Sequence, residues 1–217
     1  MEDIEILNLW KSYDKKLDEV LTLNRQYAAD ITRMKVQSFL AAMKPFKIFT
    51  VLAGILWVGF LDVLIVQLFH VASPFFLVSA ILLTLLNKLA IGMYLYQLIL
   101  IHQVNISDPV VATQEKIARL KMSTLWVTRV LFLQLPLWTT FYLTTNTIRY
   151  GNPALLAIQA VITLAFTAAA IWLFRNIRYE HRDKKWFRLI FGGKEWDPVL
   201  KSGDLLEQIA GYDGKER

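Results

Sequence analysis

The segment GILWVGFLDVLIVQLFH, residues 54–70, is apolar almost throughout but carries Asp62 near its middle. It lies within a longer apolar block, residues 48–69, and a helix of about 20 apolar residues is long enough to cross a bilayer. A carboxylate at mid-membrane depth costs about 2.5–3.5 kcal/mol on insertion scales, so it needs a partner. The segment therefore predicts a membrane-spanning helix with a compensating charge nearby.

Three further apolar blocks of similar length occupy residues 74–101, 124–145 and 153–174. Hydrophobic residues make up 55% of the chain, against about 45–50% in a soluble domain. Backbone groups in lipid must be satisfied within their own segment, which requires helices. Pro136 in the third block removes a hydrogen bond to Phe132 and predicts a kink. We expect an all-α integral membrane bundle of four transmembrane helices in two hairpins, with residues 1–47 and 175–217 outside the bilayer.

Basic residues are distributed unequally among the segments outside these blocks. Residues 1–47 hold eight Lys and Arg, residues 102–123 hold three and residues 175–217 hold ten, whereas the two short connectors hold only Arg149. Lys and Arg are retained on the cytoplasmic side of a membrane, so both termini and the middle loop are expected to be cytoplasmic. The formal net charge of +6 is thus a topology signal, and it predicts no nucleic-acid partner.

Lys88 is the charge that can compensate Asp62. The connector HVASP, residues 70–74, is so short that the first two blocks must be neighbours, and Lys88 lies at a depth similar to that of Asp62. The sequence therefore predicts an intramembrane Asp62–Lys88 pair, with Gln67, Asn87 and Arg129 as supporting polar groups. The pair is either a proton or ion relay or a polar contact that fixes helix register.

The surroundings of Lys88 suggest which way it faces. Ala80, Thr84, Lys88 and Gly92 recur every four residues, and small residues on a helix let another helix approach closely. We expect Lys88 to face protein and not lipid. Arg129 lies near the inner end of the third block, where its long stem can snorkel to the headgroups.

Residues 1–47 read as a cytoplasmic amphipathic helix that stops near Pro45. A mostly apolar heptad series with alternating spacings of three and four, as in a coiled coil, runs along it: Trp10, Tyr13, Leu17, Val20, Asn24, Tyr27, Ile31, Met34, Ser38 and Ala41. This stripe packs either on the chain's own loop and tail, or on a second copy or another protein. In a paired helix, Asn24 would set the register.

Short capping and interfacial signals mark the remaining cytoplasmic segments. Asp108 followed by Pro109 predicts a helix start, and that helix is expected to continue through ATQEKIARLK into the third block. KKWFRLIF, residues 184–191, suits an interfacial helix ended by Gly192 and Gly193. Asp204 with Glu207 resembles a capping box.

Several classes of chemistry find no support in the sequence. The chain contains no cysteine and three histidines, and the histidines fall at opposite membrane faces or in the tail, which predicts no metal or haem site. The P-loop, GxSxG and HExxH patterns are absent. We therefore predict no catalytic residue, cofactor or metal.

Three segments carry a resemblance: LNLWKSYDKKLDEVLTLN (residues 7–24), MKPFKIFTVLAGILWVGF (residues 43–60) and STLWVTRVLFLQLPLWTTFY (residues 123–142). They resemble uncharacterised four-span proteins of the bacterial inner membrane. The layout also resembles membrane-bound anti-sigma-type regulators, which hold a cytoplasmic partner with an N-terminal segment, although the cysteines of the zinc-binding version are missing.

These features favour a non-enzymatic membrane protein that anchors, regulates or scaffolds a partner through its N-terminal helix. The expected partners are membrane lipids and either a second copy or another protein. The alternative is a small transporter or channel, or a subunit of a membrane complex, that uses the Asp62–Lys88 pair.

Overall fold

The computed structural model describes residues 2–104, 110–181, 183–191, 199 and 201–202. Every element in this part of the chain is helical, so the expected all-α class is confirmed. The elements are α1 (Glu2–Leu68), α2 (Pro74–Gln103), α3 (Val110–Phe132), α4 (Leu135–Thr140), α5 (Thr145–Tyr150), α6 (Pro153–Asn176), a 3₁₀ turn (Tyr179–His181) and α7 (Lys185–Phe191). The signals predicted at Asp108–Pro109, Gly192–Gly193 and Asp204–Glu207 lie outside the described residues.

Three helices are long and apolar enough to cross a membrane: Ile6–Leu68 within α1, Pro74–Gln103 and Pro153–Asn176. The last of these, α6, buries only Ala170 against the described part of the chain. Leu155, Val161 and Leu164 remain exposed on its surface. A contiguous apolar surface of this size is unfavourable in water and suits hydrocarbon. These features are those of a membrane protein.

The third apolar block, residues 124–145, is not one continuous helix as predicted. Helix α3 ends at Phe132, and α4 resumes at Leu135 after a tight turn in which Gln134 N donates to Leu131 O at 3.2 Å. The cause is Pro136, which has no N–H to offer Phe132 and breaks the helix instead of only kinking it. The following connector, expected to be a loop, folds into the short helix α5.

The break is held by polar contacts to neighbouring helices. Ser79 of α2 and Thr140 of α4 share a hydrogen bond of 2.9 Å between their hydroxyl oxygens. Gln159 of α6 donates its side-chain amide to the backbone carbonyl of Thr139. Backbone groups freed by a helix break at membrane depth must find such partners, so α4 is tied to α2 and α6.

Helix α1 does not stop near Pro45, contrary to expectation. It runs unbroken for 67 residues with Pro45 inside it, which is about 100 Å at 1.5 Å per residue. Pro45 is exposed, so its ring lies on the outer side of the helix, and the carbonyl of Ala41 loses its intrahelical donor. The apolar block from residue 48 continues the helix because it packs on α2.

The core consists of separate clusters along the bundle. The first joins α1 to the end of α2 and to α3, through Val36, Leu40, Met43, Leu100, Ile101, Val104, Ile117, Leu120 and Val199. The second lies deeper and joins the same three helices through Val51, Ala90, Tyr94 and Val127. A third holds α7 against α3, since Phe187 and Phe191 pack on Leu125 and Ile177. The predicted interfacial helix therefore buries its aromatic face in protein.

Candidate functional site

The hairpin of α1 and α2 brings Asp62 and Lys88 together. Ser73 begins α2, because its hydroxyl accepts from the backbone N–H of Phe76 at 3.2 Å and leaves Pro74 at the first helical position. Five residues separate the two helices, so they run antiparallel and adjacent. The Nζ atom of Lys88 lies 3.1 Å from Oδ1 and 3.0 Å from Oδ2 of Asp62. Both carboxylate oxygens are therefore engaged by one ammonium group.

The pair lies on the outside of the hairpin, not in its interior. The side chain of Lys88 is 51% exposed and that of Asp62 is 46% exposed. The expectation that Lys88 faces protein is therefore not met by contacts within the described chain. On the predicted stripe, Ala80 and Thr84 are buried whereas Lys88 and Gly92 are exposed. A spacing of four residues turns about 40° past a full circle at each step, so three steps carry the stripe from the inner to the outer surface.

The two amides proposed as supporting groups do not join the pair. Asn87 donates its side-chain N–H to the carbonyl of Leu83 in its own helix at 2.8 Å. Gln67 is exposed and lies five residues beyond Asp62, which places it about 140° around α1 from the carboxylate. Asp62 and Lys88 are thus the two side chains of this site that the structure brings together.

Arg129 has a structural partner at the far end of α6. Its Nε donates to the backbone carbonyl of Ile177 at 2.6 Å, and Ile177 is the C-cap of α6. The last carbonyls of a helix lack intrahelical donors and carry partial negative charge, so a cation is favourable there. Arg129 therefore ties α3 to the end of α6, and the snorkelling of its guanidinium to headgroups stays a prediction.

A second polar site was not predicted from the sequence. Lys47 of α1 is fully buried, and its Nζ donates to Oε1 of Gln97 at 2.5 Å. The same ammonium lies 4.9 Å from the ring centroid of Tyr94, which is a favourable cation–π distance. The hairpin that pairs Asp62 with Lys88 also brings the start of the first block beside the end of the second. The contact between Lys47 and Gln97 could therefore have been predicted from the antiparallel geometry of this hairpin.

The predicted stripe on the N-terminal part of α1 is exposed to solvent. Its large side chains between residues 10 and 34 are 50–68% exposed: Trp10, Tyr13, Leu17, Val20, Tyr27, Ile31 and Met34. Asn24, in the middle of this set, is also exposed. Burial against the chain's own core begins only at Val36. The described residues of the loop and tail therefore leave the large side chains of this stripe uncovered between residues 10 and 34.

No protein family, curated protein or solved structure matches this chain. Its chemistry must therefore be argued from its own residues. Within the described ranges, no group of three or more His, Asp or Glu side chains is placed to hold a metal ion. The two features that stand out are the outward-facing Asp62–Lys88 pair and the exposed apolar stripe on the same helix.

Proposed function

We propose that this chain is a non-enzymatic bacterial inner-membrane protein that holds a partner through the N-terminal part of α1. The observation that carries the proposal is the exposed apolar stripe between residues 10 and 34. Contiguous apolar surface on the water-facing part of a protein marks a contact surface. Because α1 is continuous into the membrane block, anything bound to this stripe is rigidly attached to the bilayer.

The proposed topology has four crossings, with α3 and α4 together forming the third. Support comes from the side-chain bonds that tie α4 to α2 and α6, since broken helices are tolerated in membranes where protein surrounds them. The excess of Lys and Arg in residues 1–47 and 175–217 supports cytoplasmic termini. The division into a cytoplasmic helix, a membrane bundle and a basic tail follows from this topology.

A regulatory version of the proposal follows the resemblance to membrane-bound anti-sigma-type proteins. In that version, the N-terminal helix keeps a cytoplasmic partner at the membrane until a signal reaches the bundle. The path for such a signal is α1 itself, whose Val36 and Leu40 pack in the same cluster as Leu100 of α2 and Leu120 of α3. A shift of α2 or α3 would therefore act directly on the exposed segment.

The test compares two double variants of the full chain in lipid nanodiscs. Val20→Asp/Tyr27→Asp places two charges on the stripe, and Thr22→Asp/Ala29→Asp places two charges at the same spacing on the opposite side of α1. We expect the first variant to lose the assembly seen with the wild-type chain and the second to retain it. The readout is the protein mass per nanodisc. The nanodiscs of all three proteins are prepared by solubilising membranes with one and the same polymer. Equal masses for both variants and the wild type would contradict the proposal.

The alternative function, a small transporter or channel, is supported by the ionisable pair within two apolar blocks. It needs a water path past Asp62, and the outward position of the pair requires several copies to enclose that path. Proteoliposomes containing the full chain provide the test. Proton or cation flux that disappears in Asp62→Asn would favour this alternative over the scaffold.

A further inference from the structure

The continuity of α1 through Pro45 allows its coiled-coil register to be extended into the membrane block. Beyond Ala41, the same alternating spacings of four and three lead to Pro45, Ile48, Leu52, Ile55, Gly59, Asp62 and Val66. Together with the positions from Trp10 to Ala41, these residues form one heptad line along α1, which we call the α1 seam. On a straight helix this line turns back by about 20° per heptad, and a left-handed supercoil keeps it facing a partner helix. In heptad notation, Trp10, Leu17 and Asn24 are a positions, and Tyr13, Val20 and Asp62 are d positions.

The α1 seam is exposed from Trp10 to Gly59 and again at Val66, and Asp62 is half-buried beside Lys88. In the membrane block, Ile48, Leu52, Ile55 and Val66 are 48–74% exposed. The chain's own core uses other positions of α1: Val36, Leu40 and Met43 are buried on the side opposite the seam, and Leu61 and Val58 are buried closer to it, with Val58 about 40° around the helix from Asp62. The helix therefore has two apolar faces, one for its own bundle and one that the described residues leave uncovered.

We propose that a second copy of this chain covers the α1 seam in a parallel, two-fold symmetric dimer. This inference deepens the proposed function, because it rests on the N-terminal helix as a binding element and names its partner. Two copies inserted in one membrane have the same orientation, so their α1 helices run parallel with equivalent residues at equal depth. The α1 seam keeps one heptad register from the water-facing part of α1 into the membrane block. The α1 helix of a second copy has the same register and can therefore pair with it along both parts.

The polar residues of the cytoplasmic part agree with a second copy. Asn24 occupies one a position among apolar neighbours, and a single buried Asn at a specifies a parallel two-stranded coiled coil. Its side-chain amide has both donors and an acceptor, so it can bond to the same residue in the other copy. Asp30 at g and Lys35 at e carry opposite charges at the positions that meet between parallel helices. Asp30, which lies 3.5 Å from Arg33 in its own helix, and Lys35 thus form one g–e pair that is complementary between two copies.

The membrane part provides both space and charge for the same partner. A Cβ added to Gly59 would meet nothing within 4 Å, so another helix can approach closely at this depth. Asp62 lies one turn further along the seam, with Lys88 beside it. A two-fold axis brings two such pairs together, and each ammonium has three donors to divide between two carboxylates. A cluster of two cations and two anions replaces an ion pair half-exposed to hydrocarbon.

Cysteine cross-linking tests the proposal, because the natural chain contains no cysteine and each introduced thiol is the only one present. The full chain is expressed in membranes with one substitution at a time and then oxidised. Leu17→Cys and Leu52→Cys lie on the α1 seam, in its cytoplasmic and membrane parts respectively. Asp18→Cys and Ala53→Cys are matched controls, since they lie at the same depths but about 100° around the helix, and all four positions are exposed.

We expect Leu17→Cys and Leu52→Cys to form covalent dimers at least tenfold more abundant than those of their neighbours. Equal yields at Leu52→Cys and Ala53→Cys would overturn the proposal, because no helix face would then be preferred. Cross-linking at Leu17→Cys alone would overturn the membrane part of the seam. A third outcome separates the dimer from the proposed function. If no variant formed dimers, but the particles contained a different protein that was lost in Val20→Asp/Tyr27→Asp, the dimer would be overturned and the proposed function would stand.

Discussion

The two halves of α1 differ in what surrounds them, although they belong to one helix. From residue 10 to residue 34, the large apolar side chains of the seam are all exposed. From Val36 onward, almost every turn contributes a buried side chain to the chain's own core, while the seam stays exposed as far as Gly59. The second half of α1 is thus anchored by its own fold, and the first half is not.

This contrast separates residues that stabilise the fold from residues that remain available for binding. An apolar side chain buried in the core contributes to the stability of the single chain, whereas an exposed one contributes only when a partner covers it. Mutations in the two halves should therefore act on different measurements. Mutations in the second half change unfolding, and mutations on the seam change association.

The largest expected effect comes from comparing Leu40→Ala with Leu17→Ala. Leu40 is fully buried between α1, α2 and α3, and Leu→Ala in a core costs about 2–5 kcal/mol. Leu17 is exposed, so the same truncation should cost the monomer at most about 0.5 kcal/mol. Unfolding of the full chain, followed by circular dichroism in a detergent that keeps it monomeric, measures both. Similar losses for the two variants would show that residues 10–34 are packed within the chain.

The second prediction concerns the charge pair in the anchored half. Asp62→Lys places two ammonium groups side by side at membrane depth, and we expect it to lower the stability of the bundle by about 2.5–3.5 kcal/mol, the insertion cost of an unpaired charge. The swap Asp62→Lys/Lys88→Asp restores opposite charges and should recover most of this loss. Thermal unfolding in nanodiscs gives the comparison. A swap variant as unstable as the single variant would mean that the pairing is not what stabilises these positions.

Much of this architecture could be predicted from the lengths of the apolar blocks and of the connectors between them. Apolar length located the three helices that can cross a membrane, and the short connector after His70 implied the antiparallel hairpin in which Asp62 and Lys88 meet. Both inferences depend on chain geometry alone. They required no knowledge of the neighbouring side chains.

The predictions that failed concern the two prolines, where contacts with other helices decide the outcome of a local sequence rule. Pro45 was expected to end a helix and Pro136 to kink one, but Pro45 sits inside a continuous helix whereas Pro136 follows a break. Residues on both sides of Pro45 pack on other helices. Near Pro136, in contrast, Ser79 bonds the hydroxyl of Thr140 and Gln159 donates to the backbone carbonyl of Thr139. Nothing in either local sequence distinguishes these outcomes.

Side-chain direction was the other limit. The four-residue stripe through Lys88 was treated as one face, although a helix of 3.6 residues per turn rotates it outward. The spacing of three and four on the α1 seam drifts more slowly, by about 20° in every seven residues. Its residues stay exposed from Trp10 to Gly59, whereas Asp62 is half-buried beside Lys88. The buried Lys47 was counted as a topology signal, because a lysine at the end of an apolar block usually extends to water.

The smallest expected effect, and the one most specific to pairing, is that of Asn24→Val. In the single chain Asn24 is exposed, so the substitution should leave monomer unfolding within about 0.5 kcal/mol of the wild type. In a paired seam, a buried Asn at a lowers stability in exchange for a defined register and copy number. The variant should therefore associate more tightly but form a mixture of dimers and higher oligomers. Mass distributions in nanodiscs and cross-linking at Leu17→Cys in the Asn24→Val background measure both, and an unchanged dimer with an unchanged affinity would place Asn24 outside any helix interface.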